Sequence, residues 1–173
     1  TNKGDIIIPE YVYNYQAGDI KEDGFTPASS PERINGDISR MIIDVVSNYS
    51  YNDTILTEWK NHYAKEGSMP SFGIHKIHHN EVWMGSGSSV VKDSTILKEI
   101  EDNLNKNIFG LDIESYSVML SPIICHGEGP LPIIIKSVQD YANSTKDKQY
   151  RQFSSYASAR FFFKFCVDNL IGA

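Results

Sequence analysis

Apolar side chains recur at every third or fourth position over several long stretches of this chain. The clearest stretch runs from Ile38 to Tyr49, where the spacing predicts an amphipathic helix. The same spacing predicts four more helices, from about Asn52 to Tyr63, from about Ser94 to Leu104, from Glu114 to about Cys125 and from about Tyr150 to Leu170. A chain of 173 residues is long enough for these helices to cover a continuous core.

Short apolar runs with strand composition separate the helices. They are Gly4–Ile8, Phe72–His78, Val82–Met84, Phe109–Ile113 and residues 132–138. The segment from Pro9 to Pro31 is rich in Gly, Pro, Ser and Tyr and shows neither period, which predicts a long loop with one strand at Tyr11–Tyr15. Strands that alternate with helices predict an α/β fold with a mostly parallel sheet, in a single domain spanning residues 1–173.

The composition narrows the classes of function. With 16 Lys and Arg against 22 Asp and Glu, the net charge is -6 and the basic residues are scattered, so nucleic acid is not an expected partner. No stretch approaches the ~20 apolar residues of a membrane span, and no leader is recognisable, so no membrane association is expected. Cys125 and Cys166 fall in helical apolar patterns, which predicts buried thiols and a cytoplasmic location.

Two acidic residues stand just beyond apolar strand-like runs. Glu114 follows the run Phe109–Ile113, and Asp140 follows residues 132–138. Ligands bind at the carboxyl ends of strands in open α/β sheets, so the two carboxylates are expected to share one pocket. Each also has a simpler interpretation, because Glu114 could cap the helix that begins there and Asp140 could start a turn.

Two other polar clusters are weaker signals. The triplet Ser86, Gly87 and Ser88 could place backbone amides near an anion, or it could be only a tight turn. His75, His78 and His79 lack a Cys or a carboxylate at ligand spacing, apart from Glu81. We therefore expect no metal site and interpret these histidines as solvated or loop residues.

The order of these motifs resembles the nucleoside phosphorylase superfamily, in particular the methylthioadenosine/S-adenosylhomocysteine nucleosidases and their relatives in multidomain signalling and defence proteins. The resemblance begins at Gly4–Ile8 with the Tyr-rich segment after it and continues through Met84–Gly87. Its most specific parts are Leu111–Tyr116 and Ile135–Ala142, before a long C-terminal helix. The family fold is a three-layer arrangement of helices around a mixed sheet, and the family domain is longer than this chain. We therefore expect this chain to be the C-terminal part of such a domain, without its N-terminal βα segment.

The resemblance implies cleavage of the N-glycosidic bond of a purine nucleoside or nucleotide, without a cofactor. In that family Glu114 corresponds to the residue that holds the ribose hydroxyls, with Ile113 beside the sugar, and Asp140 to the acid that protonates purine N7. Base contacts are expected near Val90, Val91 and Gln139. The resemblance favours hydrolysis, with phosphate as the alternative nucleophile, and implies a homodimer.

Three positions depart from the family pattern and keep a second function open. Gln139 stands where many relatives have Ser, Ser88 stands where they have an acid, and Val90 stands where an aromatic residue is expected. These changes, together with the absent N-terminal segment, are compatible with a module that senses a purine nucleotide without cleaving it. A domain that serves only for dimerisation is the third hypothesis.

Overall fold

A computed structural model describes residues 1–22, 24–28, 30–47, 50–63, 76–104, 106–125, 129–141 and 148–171. The helices are α1 Gly36–Ser47, α2 Ser50–Tyr63, α3 Ser94–Leu104, α4 Ser115–Ile124 and α5 Lys148–Cys166, which ends in a π-helical turn at Val167–Ile171. The strands are β1 Ile6–Ile7, β2 Tyr11–Asn14, β3 Gly18–Lys21, β4 Gly24–Pro27, β5 Glu32–Arg33, β6 Ile77–His78, β7 Trp83–Ser86, β8 Ile108–Asp112 and β9 Lys136–Ser137. The predicted α/β fold with a mixed sheet is confirmed.

Seven of the nine described strands form two ladders that are joined through one continuous segment of chain, and β3 and β4 pair only with each other. One ladder has the order β6-β1-β9 and the other the order β5-β2-β7-β8. Parallel pairs join β1 to β6, β2 to β7 and β7 to β8, whereas β9 and β5 are antiparallel to their neighbours. The change of ladder falls at Pro9, whose ring nitrogen carries no hydrogen to donate. β1 and β2 therefore bond to different neighbours on either side of that proline.

The core lies where helices α1, α2 and α5 cover the strands. Phe153, Phe161 and Phe165 are fully buried along one face of α5, and they meet Ile42 of α1 and Ile55 of α2 in one cluster. These positions follow the spacing that predicted the helices. None of the helices in the described ranges is both long and apolar enough to cross a bilayer.

Two parts of the predicted secondary structure are wrong. The long loop contains a hairpin, β3–β4, in which Ile20 pairs with Phe25. Of the predicted strand 132–138, only Lys136 and Ser137 enter a ladder as β9. Of the predicted strand Phe72–His78, residues 72–75 lie outside the described residues, and β6 is its described end. The described strand positions of the hairpin are exposed, so its sequence lacks the alternation of apolar and polar residues that predicts a half-buried strand.

Candidate functional site

Three parallel strands end side by side at one edge of the second ladder. Asn14 of β2 pairs with Ser86 of β7, and Ser86 pairs with Asp112 of β8. Asp112 is followed directly by Ile113 and Glu114. The structure therefore brings the triplet Ser86–Ser88 and the acidic end of β8 to the same edge, where open α/β sheets bind ligands.

Glu114 is held by an ammonium group and does not cap helix α4. The Nζ atom of Lys136 lies 2.9 Å from Oε2 of Glu114 and 2.9 Å from Oδ2 of Asp112. Glu114 makes no side-chain cap hydrogen bond, whereas Asp112 accepts hydrogen bonds from the amide and the hydroxyl of Ser115. Glu114 is thus the N-cap residue of α4 by position, but its side chain does not cap the helix, and the carboxylate of Asp112 accepts from the first amide of the helix instead.

Asp112, Lys136 and Glu114 differ in how far they are buried, and burial acts on the pKa of Asp112 and of Lys136. The side chain of Asp112 is 10% exposed and that of Glu114 is 60% exposed. Burial by itself raises the pKa of Asp112, but the hydrogen bonds from Ser115 and Lys136 outweigh it and hold the pKa below its ordinary value. Burial lowers the pKa of Lys136, and the two carboxylates reverse that effect and raise it. The cluster carries a net charge of -1 when all three groups are ionised.

Lys136 was not among the residues that the sequence singled out. It is a charged residue inside the apolar run Ile133–Val138, and lysine is rarely buried without a partner. That placement is the signal that could have identified it. Its partners could not be inferred, because they lie 24 and 22 residues earlier in the chain: Asp112 ends β8 of the other ladder, and Glu114 lies just beyond it.

Replacing Lys136 with Met is expected to destabilise the fold by about 1–3 kcal/mol at pH 7, because Asp112 then stays buried with one partner fewer. The folded-state pKa of Asp112 is depressed, so its contribution is present above the unfolded value of 3.8 and is lost as the pH falls through the folded value. The stability difference between wild type and Lys136→Met should therefore shrink below about pH 4. Urea denaturation between pH 3 and pH 7 measures it.

The matched control for that measurement is Lys98→Met, which removes an exposed lysine from helix α3. It should leave the free energy of unfolding within about 0.5 kcal/mol of wild type at every pH. Equal losses for both lysine variants would contradict the role assigned to Lys136.

Asp140 and Gln139 lie just beyond β9. Both are partly buried. The preceding residue, Val138, is fastened to the start of the chain, since its amide donates to the carbonyl of Asp5 and its carbonyl accepts from the amide of Gly4. The chain thus leaves the ladder after Val138, and Asp140 lies four residues after Lys136, which contacts Glu114.

The loop after β7 is fixed by residues that follow β2. The Tyr15 hydroxyl donates to the carbonyl of Ser89 at 3.4 Å, and the side-chain oxygen of Gln16 accepts from the amide and the hydroxyl of Ser88. The Gly87 amide donates to the carbonyl of Asp112 at 3.0 Å. An anion at this triplet would therefore have to displace partners that its amides already have.

The predicted apolar contacts lie at the surface of the described chain. Val90 and Ile113 are exposed and Val91 is partly buried. A groove of about 480 Å³ opens beside this loop, between helix α3 and Tyr15, and a more polar groove of about 890 Å³ lies at the other ends of the strands, around Trp83. Glu114 and Asp140 line neither groove. The candidate site is the sheet edge, because the ion pairs of Lys136 with Asp112 and Glu114 lie there.

The structure corrects the interpretation of His78, which lies in β6, whereas His79 lies in a loop as expected. His78 is not solvated, because its Nε2 lies 2.8 Å from the buried carboxylate of Asp5. His79 contacts the Ile8 carbonyl through Nδ1 and the Ser39 hydroxyl through Nε2, so it joins β1 to α1. His75 lies outside the described residues. In the described ranges no three potential ligands among His, Cys, Asp and Glu converge on a metal position.

The cysteines also differ from expectation. Cys125 is exposed at the end of α4 and Cys166 is partly buried. The prediction of two buried thiols is therefore wrong for Cys125, because α4 ends one residue before it and the helix presents its last turn to solvent.

Solved structures of nucleosidases share this arrangement of elements. The Neisseria meningitidis 5′-methylthioadenosine/S-adenosylhomocysteine nucleosidase, in complex with methylthio-immucillin-A, matches 98% of this chain with a TM-score of 0.59 and 16% identity. The Campylobacter jejuni enzyme of the same name matches 97% with a TM-score of 0.58 and 17% identity. Futalosine hydrolase of Helicobacter pylori matches 98% with a TM-score of 0.57 and 15% identity.

The chain spans only part of each of these proteins. It covers 63%, 63% and 62% of the three solved chains, respectively. A curated relative, the uncharacterized protein y4jS of Sinorhizobium fredii, is 27% identical over 171 residues, which are 97% of this chain and 39% of that protein. No family model matches the sequence. At the level of fold the resemblance is confirmed: this chain has the fold of the methylthioadenosine/S-adenosylhomocysteine nucleosidases and futalosine hydrolase.

Proposed function

We propose that the protein containing this chain cleaves the N-glycosidic bond of a purine nucleoside by hydrolysis. Glu114 accepts hydrogen bonds from the two ribose hydroxyls, and Asp140 donates a proton to N7 of the base. Val90, Val91 and Gln139 border the base, and Ile113 borders the sugar. The observation that carries the proposal is the pairing of Glu114 with Lys136 at the carboxyl ends of three parallel strands.

The proposed chemistry follows from the charge that develops as the bond breaks. The C1′–N9 electron pair leaves with the base, the sugar becomes a cation, and the base becomes electron-rich. A proton from Asp140 neutralises the base, and the anionic cluster of Asp112, Lys136 and Glu114 stabilises the sugar cation. Water then bonds to C1′ and loses a proton, which leaves free purine and free sugar.

The net charge of the cluster favours water over phosphate as the nucleophile. Two carboxylates and one ammonium leave a charge of -1 beside the sugar, and a phosphate dianion would be repelled there. The same repulsion favours a substrate whose ribose hydroxyls carry no phosphate. In addition, the exposed position of Glu114 leaves its carboxylate accessible to a diol.

Phosphate is therefore expected to have no effect on turnover. With methylthioadenosine as substrate, the rate of adenine release should be the same within a factor of two with and without 50 mM phosphate. The sugar product should be methylthioribose and not its 1-phosphate. Product chromatography with a phosphorolytic enzyme as the positive control measures both, and a phosphate-dependent rate would overturn hydrolysis.

A non-catalytic purine sensor is the second candidate. It is favoured by the exposure of Val90 and by the amides of Gly87 and Ser88, which already have partners. Calorimetry that detects purine binding, with no base released over several hours, would favour this function. Rapid adenine release would exclude it.

A further inference from the structure

A turn over residues 2–5 holds the chain just beyond β9. The amide of Gly4 donates to the carbonyl of Val138, and the Val138 amide donates to the carbonyl of Asp5, both at 2.8 Å. The carboxylate of Asp5 accepts from the amide of Asn2 at 2.8 Å and so closes the turn. Gly4 has a φ of 91°, a backbone conformation that favours glycine, so the chain turns there without strain. The residue between Asn2 and Gly4 is therefore fixed in position relative to β9.

That residue, Lys3, contacts two aromatic rings. Its ammonium nitrogen lies 4.7 Å from the ring centroid of Tyr150 and 5.8 Å from that of Tyr141. Its backbone amide also donates to the hydroxyl of Tyr141 at 3.3 Å. The faces of tyrosine rings attract a cation, so each ring stabilises the ammonium group between them. We call these three residues the lysine bracket.

The lysine bracket joins the two ends of the segment that follows the proposed acid. Tyr141 comes directly after Asp140, and Tyr150 lies in the first turn of helix α5, which begins at Lys148. Tyr150 is partly buried and packs against the core cluster, whereas Tyr141 is 49% exposed. The bracket therefore ties the exposed residue beside Asp140 to a part of the helix that the core already holds.

The chain is thus anchored on both sides of Asp140. The hydrogen bonds of Val138 hold it two residues before the acid, and the lysine bracket holds it one residue after. An acid that protonates a leaving base needs a fixed direction, because a displacement of about 1 Å can lower a rate by about 10²-fold. The anchor after Asp140 depends on a residue 138 positions earlier than Tyr141, so no local pattern of the sequence indicates it.

We propose that Lys3, through Tyr141 and Tyr150, is a positioning residue for Asp140. Lys3 acts on the reaction only through the direction in which the Asp140 carboxyl group is held. The inference rests on the proposed function, which gives Asp140 a proton to transfer. A role in packing alone would lower stability, whereas a positioning role lowers turnover in a protein that remains folded.

Steady-state release of adenine from methylthioadenosine tests the proposal. Lys3→Ala should lower kcat about 10-fold and change KM less than about 3-fold, because a misdirected acid impairs the transition state more than it impairs binding. Lys3→Arg should keep kcat within a factor of about two of wild type, since a guanidinium group also lies favourably over aromatic rings. An unchanged kcat in Lys3→Ala, a rise in KM alone, or an Arg variant as slow as the Ala variant would overturn the proposal.

The matched control is Lys106→Ala. Lys106 also lies over an aromatic ring, with its ammonium nitrogen 5.4 Å from the ring centroid of Trp83, in a groove that Asp140 does not line. The variant removes the same kind of contact elsewhere, so kcat should stay within a factor of about two of wild type. An equal loss of kcat in Lys106→Ala would show that the effect is not specific to the lysine bracket, and would overturn the role of Lys3.

NMR relaxation separates a failure of this inference from a failure of the proposed function. The order parameter of the Asp140 amide should be that of rigid backbone in wild type, about 0.85, and should fall toward about 0.6 in Lys3→Ala but not in Lys3→Arg. If the wild type releases no adenine, the proposed function is wrong, and the order parameter alone decides whether Lys3 positions Asp140. Equal order parameters in wild type and Lys3→Ala would overturn the inference even in an active protein.

Discussion

Replacing Asp140 with Asn is expected to lower kcat for adenine release from methylthioadenosine by about 10²- to 10⁴-fold. The amide retains the shape of the side chain but has no acidic proton for purine N7. The leaving base would then depart as an anion. KM should change only a few-fold, because the lost interaction belongs to the transition state. Steady-state assays of adenine release measure both constants.

The control for this variant is Asp19→Asn, which neutralises an exposed carboxylate on the β3–β4 hairpin. It removes the same charge at a distance from the proposed site, so kcat should stay within a factor of two of wild type. Circular dichroism should show that both variants are folded. An unchanged kcat in folded Asp140→Asn would remove the proposed role of Asp140 as the acid.

Replacing Phe161 with Ala is expected to reduce the free energy of unfolding by about 3–5 kcal/mol, since a fully buried aromatic ring leaves a cavity that the core fills only in part. Phe161 lies at the centre of the contact between α5 and α2, with its ring 5.7 Å from that of Tyr51 and 6.4 Å from that of Phe165. Urea denaturation, with the slope m compared between variants, measures the loss.

The neighbouring residue provides the control for the core prediction. Phe162 is 45% exposed on the other face of the same helix, so Phe162→Ala removes an equal volume with little loss of burial. Its effect should stay below about 1 kcal/mol. Losses of similar size for the two variants would mean that Phe161 does not lie on the core-facing side of α5.

The helices were predictable because one face of each must be buried. The spacing from Ile38 to Tyr49 placed α1, and Ile42 and Val45 from that pattern are buried. The β3–β4 hairpin was not predictable, since its described side chains are exposed on both strands and Gly24 follows the turn at a φ of 127°. Hydrophobic periodicity predicts a helix or a strand only where buried positions recur at a regular spacing along the chain.

The candidate site was predictable in part. The position of Glu114 after a strand-like run identified it as a candidate, but the same pattern described a helix cap equally well. The contact with Lys136 distinguishes the two interpretations, and it joins β9 of one ladder to the residue two positions beyond β8 of the other. No spacing along the chain encodes that contact.

The amino-acid sequence by itself determined the helices, the helical faces that form the core, most of the strands between them and the resemblance to the nucleosidases, because each depends on residues close together in the chain. Tertiary structure decided the partners of individual side chains: Lys136 lies between Asp112 and Glu114, and His78 lies on Asp5. These depend on which segments meet in space, and long-range hydrogen bonds and charge pairs form only after the core has brought those segments together.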